Sequence, residues 1–134
     1  MTFFLDTDIC IYFLKGKYKG IMNKLKTLHH SEIKIPSIVK AELLFGAEKS
    51  IKKNENKKKL QKFLAPYQII SFDDSASQIY AMVRADLEKK GKMIGHNDLI
   101  ITSTVIANNG ILVTNNQKEF SRIKKIKTEN WIEF

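Results

Sequence analysis

Thr2-Phe3-Phe4-Leu5-Asp6-Thr7-Asp8 is the stretch that decides the fold. A short apolar run at residues 2–5 that breaks on Asp6 has the pattern of a buried strand. Working outward, residues 9–14 read as a short helix with Asp8 as its N-cap. A helix with Ile21, Leu25 and Leu28 as its apolar positions follows and ends near His29-His30. Residues 32–35 form a second strand, and Pro36-Ser37 opens a helix running through Ala41, Leu44, Phe45 and Ala47. A lysine-rich helix stops before Pro66-Tyr67. Residues 68–72 are a third strand rich in β-formers. Residues 73–90 place Ile79, Met82, Val83 and Leu87 at helical spacing, and Gly91 closes that helix. Asn97 or Asp98 starts another helix that ends at Asn109-Gly110. Residues 111–114 are a fourth strand, and residues 127–129 a fifth. Strands alternating with helices imply parallel strands with right-handed crossovers, an α/β sandwich whose function gathers at the carboxyl ends of the strands.

Length and composition bound the rest. At 134 residues and 15.5 kDa, with 43% hydrophobic and 28% charged residues, the expectation is one soluble domain spanning 1–134. A lone cysteine, Cys10, excludes an intrachain disulfide and any multi-cysteine zinc site, and is expected to be a buried small hydrophobe. No secretory signal is visible after Met1, and the long uncharged stretch at 99–117 is broken by Asn108, Asn109, Gly110, Asn115 and Asn116. A cytoplasmic location with no membrane association is the expectation.

The formal net charge is +9, and all but two of the 23 basic residues are lysine. Such an excess suits a polyanionic partner, although lysine also fills helix surfaces for solubility. Its distribution favours the partner: Lys49, Lys52, Lys53, Lys57, Lys58, Lys59 and Lys62 crowd one segment against the single acid Glu55. Lys118, Arg122, Lys124, Lys125 and Lys127 form a second cluster.

Acids sit where an α/β fold concentrates chemistry. Asp6 follows the first strand, Asn115 follows the fourth, and Asp98 opens a helix. Glu42 has Ile38, Val39, Phe45 and Gly46 as its helical neighbours, which places it on the stripe expected to face the core. An unpaired carboxylate there costs several kcal/mol, roughly, unless something offsets its charge. Convergence of Glu42 with Asp6 and Asp98 would raise their pKa values unless a cation neutralised them, and hard Mg²⁺ or Mn²⁺ takes oxygen ligands of this type. Such a cluster beside lysine-rich surfaces suits phosphodiester hydrolysis. Plainer roles remain open: Asp6 and Asp8 as caps, Asp98 as a first-turn acid, Glu42 paired with a lysine, Glu119 as a solvated acid. His29-His30 belongs at a helix end and His96 in a loop. Thr7 and Thr114 could orient carboxylates or water, or merely shape turns.

Taken together, the combination resembles the VapC toxins, PIN-domain ribonucleases of bacterial toxin–antitoxin modules. The likeness rests on Phe4-Leu5-Asp6-Thr7-Asp8, on Ile35-Pro36-Ser37 leading to Ala41-Glu42-Leu43-Leu44-Phe45-Gly46, and on Ile94-Gly95-His96-Asn97-Asp98-Leu99-Ile100-Ile101. Leu112-Val113-Thr114-Asn115-Asn116-Gln117-Lys118-Glu119-Phe120 and the ending Glu129-Asn130-Trp131 complete it, in order, over essentially the whole chain. The resemblance implies a PIN-like three-layer α/β/α sandwich with a central, mostly parallel sheet of four to five strands. It implies Asp6, Glu42 and Asp98 as metal-binding and catalytic acids and Glu119 as a fourth, with Asn115 and Asn116 standing where other PIN domains place an aspartate. Thr7, Asp8, Thr114, Asn115 and Asn116 would support those acids, Asp8 adding a negative charge where relatives more often show Asn. It further implies an endoribonuclease that uses Mg²⁺, with Mn²⁺ able to substitute, and that arrests translation by cutting RNA, with tRNA the expected substrate. The lysines from Lys49 to Lys62 would hold the RNA. A VapB-type antitoxin and a homodimer are the implied partners.

Two other functions compete with this one. Asp6-Thr7-Asp8 after a short strand also opens haloacid-dehalogenase-type phosphatases, whose first Asp is a nucleophile and second a general acid. Thr114 could supply their later Ser/Thr, but twenty residues beyond it are too few for the remaining motifs. A non-catalytic RNA-binding PIN module would keep the basic faces without needing Asp6, Glu42 and Asp98 together.

Overall fold

The computed structural model describes residues 1–132. Among these residues five strands form one parallel sheet: β1 (Phe3–Leu5), β2 (Ile33–Pro36), β3 (Gln68–Ile70), β4 (Ile111–Val113) and β5 (Lys127–Glu129). Their order is β3-β2-β1-β4-β5. The helices that connect and flank them are α1 (Thr7–Leu14), α2 (Lys19–Thr27), α3 (Ser37–Glu48), α4 (Lys53–Leu64), α5 (Asp74–Lys90), α6 (His96–Ala107) and α7 (Gln117–Phe120). The chain builds outward from β1 through β2 to β3, then returns to the other side of β1 for β4 and β5. Strand order therefore reverses between β1 and β4, the crevice where open parallel sheets place their sites.

Burial explains why β1 takes the centre of this arrangement. Phe3, Phe4 and Leu5 are all buried, paired with β2 on one side and β4 on the other. Trp131 closes the core behind the last strand, its ring edge-on to Phe3 at 5.4 Å and its indole N–H donating to Glu129 Oε1 at 3.0 Å. Cys10 is buried among apolar residues, as expected of a small hydrophobe. No helix among the described residues is long and apolar enough to cross a membrane.

Several boundaries differ from expectation, each for a local reason. Asp6, not Asp8, caps α1: the Asp6 carbonyl accepts from Cys10 N, and its Oδ1 accepts from Thr7 N at 2.8 Å. Asp8 falls in the first turn. The third strand stops at Ile70 rather than residue 72 because its register partner there is Pro36, and Ser37 already belongs to α3. His96 is the first residue of α6, not a loop residue, since the Gly95 carbonyl takes the first helical bond from Leu99 N. The short α7 carries too little periodicity to be read from sequence. Asp73, expected as the first helical residue, is instead the N-cap of α5, its side chain accepting from Ala76 N, while the Gly91 stop stands as expected with φ 65°, the left-handed geometry that glycine adopts without strain.

Candidate active site

The site forms at the carboxyl ends of β1 and β4. Asp6 N donates to Val113 O at 2.9 Å, tying the end of β1 to β4. Directly after β4, the buried Thr114 hydroxyl donates to Asp6 Oδ2 at 2.7 Å and accepts from Asn116 N at 3.0 Å. Both Asp6 oxygens are thus held, one by a backbone N–H and one by a hydroxyl. Asp6 is only 6% exposed, and burial raises its pKa; the charges of Glu42 and Glu119 add to the rise, while the Thr114 and Thr7 bonds oppose it.

Glu42 comes from α3. It lies on the half-buried flank of that helix, not on the core stripe expected from its neighbours, which is made of Val39, Leu43 and Ala47. There its Oε1 accepts from Thr7 Oγ1 at 2.8 Å, so the residue after Asp6 also positions Glu42. No lysine forms an ion pair with it among the described residues.

Asp98, in the first turn of α6, is bridged to Glu119 of α7 by a hydrogen bond between the two carboxyls. Burial pushes Asp98 up to about 7, with the Glu119 contact and the charges of Asp6 and Glu42 reinforcing the shift. Burial also pushes Glu119 upward, yet bonds from Asn116, Asp98 and the Gly95 N–H, with the Arg122 guanidinium nearby, together hold it below the usual glutamate value. The two shifts run in opposite directions, which favours Asp98 as the donor in this carboxyl pair. Asn116 Nδ2 reaches Glu119 Oε2 at 2.8 Å, while Arg122 Nη1 anchors on Met93 O at 2.8 Å.

Asp8 lies beside this group. Its Oδ2 accepts from Asn115 N at 3.2 Å, while its buried Oδ1 has no hydrogen-bond partner among the described residues. Burial and the neighbouring Asp6 charge raise its pKa to about 6. Asn115 Oδ1 in turn accepts from Asn130 Nδ2 at 3.1 Å, linking the loop after β4 to the end of β5.

Four carboxylates from four elements, Asp6, Glu42, Asp98 and Glu119, thus repel one another at one end of the sheet. Their donor chemistry fits a hard divalent cation: all oxygen, net negative, with each oxygen able to accept more than one bond. Among the described residues no three His, Cys, Asp or Glu side chains are drawn together as a finished ligand cage.

The sequence and fold of this chain have close relatives. The family model described as "PIN domain" matches residues 3–126. Ribonuclease VapC2 of Rickettsia felis is 46% identical over 132 residues, covering 98% of each chain. The chain belongs to the VapC family of PIN-domain ribonuclease toxins. The tRNA(fMet)-specific endonuclease VapC of Shigella flexneri is 31% identical to this VapC-family chain, again over 98% of each. Among solved structures, the toxin chain of VapBC2 from Rickettsia felis, crystallised with a promoter DNA fragment, superposes with a TM-score of 0.92 at 44% identity, covering 98% of this chain and 99% of that one. Family membership sets aside the phosphatase alternative for Asp6-Thr7-Asp8.

Every acid singled out in the sequence of this VapC-family protein reaches the site, and Thr7, Asp8, Thr114, Asn115 and Asn116 are all hydrogen-bonded within or beside it. The Gly95 N–H and the Arg122 anchor were not foreseen as parts of it. A glycine directly before a helix is a signal for the first; nothing in the sequence marks the second. The lysines from Lys49 to Lys62 lie on or just before α4, which packs on α3 and α1. Lys53 and Lys57 both pair with Glu48, and Lys59 lies 3.6 Å from Glu55.

Proposed function

We propose that this chain, working as one PIN domain over residues 1–134, is a divalent-metal-dependent endoribonuclease that cuts tRNA and thereby arrests translation. The observation that carries this reading is the convergence of Asp6, Glu42, Asp98 and Glu119 where strand order reverses, held there by Thr7, Thr114 and Asn116. Asp6, Asp98 and Glu42 would hold Mg²⁺, or Mn²⁺ in its place, with Glu119 as the fourth acid. The bound cation would supply an activated water and offset charge on the reacting phosphate. Thr114 favours the ionised form of Asp6 by donating to it, Thr7 positions Glu42 by donating to its Oε1, and Asn116 orients Glu119. The lysines of the α4 segment would hold the RNA backbone on the flank that also carries Glu42. Relatives named as tRNA(fMet)-specific endonucleases support a tRNA substrate. Related toxins crystallised as VapBC complexes support neutralisation by a VapB-type antitoxin. A homodimer of the toxin is part of the same reading.

Cleavage of total bacterial RNA by wild type and Asp6→Ala, each with Mg²⁺, Mn²⁺ or EDTA, tests it. Wild type is expected to yield discrete fragments only with metal, and Asp6→Ala to lose more than about 100-fold, beyond the effect typical of a supporting residue. End-mapping of the fragments identifies the RNA. Salt-sensitive binding without any cleavage would favour the non-catalytic RNA-binding module instead.

A further inference from the structure

Phe45 stands out among the large side chains that the fold leaves uncovered. It is 64% exposed, while the other exposed phenylalanine among the described residues, Phe72, is 37% exposed and stacked edge-on with Tyr80. The core side of α3 is already filled by Val39, Leu43 and Ala47, so Phe45 contributes nothing to that packing. It lies one helical turn beyond Glu42, and Lys49 lies one turn beyond Phe45. The three occupy positions i, i+3 and i+7 of one face. Lys49 is the C-cap and keeps right-handed helical backbone, so it stays on this stripe; its Nζ sits 4.9 Å from the centre of the Phe45 ring. Between them, Gly46 is a helical glycine whose absent Cβ would meet nothing within 4 Å, so space beside the ring is open. The stripe thus runs carboxylate, aromatic face, cation, leading away from the four acids.

We propose that Phe45 is a stacking platform for an unpaired nucleobase of the RNA substrate next to the scissile bond, with Lys49 taking an adjacent phosphate. The inference rests on the ribonuclease reading above and adds to it that the nucleotide beside the cut is single-stranded when bound. Stacking of a base on an aromatic ring is a stronger interaction than an exposed lysine over the same ring. An incoming base therefore displaces Lys49 from the ring and frees its charge for the RNA backbone. Charge complementarity selects the occupant: a net charge of +9 and a lysine at the ring favour a polyanion that carries flat rings.

The test uses the full chain and a fluorescein-labelled single-stranded RNA oligonucleotide, in EDTA so that it is not cut. Phe45→Ala and Phe45→Leu are expected to bind about 5- to 100-fold more weakly than wild type, and Phe45→Tyr and Phe45→Trp to bind nearly as well. In metal, on the RNA that wild type cleaves, Phe45→Leu should raise KM more than it lowers kcat. The tryptophan introduced by Phe45→Trp should be quenched by the single-stranded oligonucleotide and much less by the same sequence as a duplex. Wild-type affinity in Phe45→Leu would overturn the proposal, because a leucine keeps apolar contact but cannot stack. So would a changed oligomeric state of Phe45→Leu by light scattering, which would assign the ring to a protein interface. Failure of wild type itself to bind or cleave RNA would instead remove the ribonuclease reading on which the proposal stands.

Discussion

At the scale of single residues, the site is a set of acids kept in an uncomfortable state. Asp6 and Asp98 are raised chiefly by burial, as is Asp8, the last two to about 7 and about 6 from an ordinary 3.8. An acid whose folded pKa exceeds its unfolded one binds more protons when folded, so stability falls as pH rises through the window between the two. For Asp98 that window runs from about 4 to about 7. The metal-free protein is therefore expected to melt at a lower temperature near pH 7.5 than near pH 5, with a smaller drop in Asp98→Asn. Mg²⁺ should restore the melting temperature near pH 7.5 and do little near pH 5, where protons already occupy the acids. Thermal melts at the two pH values, with and without EDTA, check this; an Asp98→Asn drop as large as wild type would contradict it. The residue identities were legible beforehand, because acids at strand and helix ends are sparse and stand out. The pairing of the Asp98 and Glu119 carboxyls was not, since it depends on α7 meeting the start of α6 across more than twenty residues of chain.

At the scale of elements, close contacts decide where strands and helices stop. Gly110, just before β4, has no room for a side chain: an added Cβ would fall 2.4 Å from Phe4 Cδ1 and Cε1. Phe4 is completely buried in β1 and cannot yield without disturbing the strand that carries Asp6. Gly110→Ala is expected to destabilise the protein by about 1–3 kcal/mol through overpacking, read as a lower urea midpoint with an unchanged slope. An unchanged midpoint would mean that Phe4 repacks freely. Sequence marks Gly110 only as a helix stop, and its contact with Phe4 could not be inferred from that. The same limit applies to α1. Alternation and turn chemistry place a helix after β1, but the choice of Asp6 over Asp8 as cap depends on which carbonyl takes the first helical bond.

At the scale of the molecule, charge is asymmetric in use as well as in number. Lys53 and Lys57 are pinned by Glu48 at the junction of α3 and α4, whereas Lys58 and Lys62 make no ion pair among the described residues. RNA binding should weaken steeply with salt. Lys58→Ala and Lys62→Ala should each lower the slope of log affinity against log salt by about 0.7, the single-strand value per phosphate. Lys57→Ala should lower it less, because its charge is already partly offset. Affinity titrations across salt concentrations measure the slopes, and equal effects from all three would show the Glu48 pairing to be irrelevant to binding.

The amino-acid order alone determined that this chain is an α/β protein with its chemistry after β1, its basic surfaces and its complement of acids. It could do so because strand and helix periodicities, caps and charge clusters are local properties of neighbouring residues. Only the tertiary structure decided that Glu42 leaves the core stripe for the flank that faces Thr7, and that Thr114 reaches back across 108 residues to hold Asp6. It alone also left Phe45 uncovered beside the site. Those outcomes depend on which elements become neighbours in the sheet, and that is a property of the assembled core.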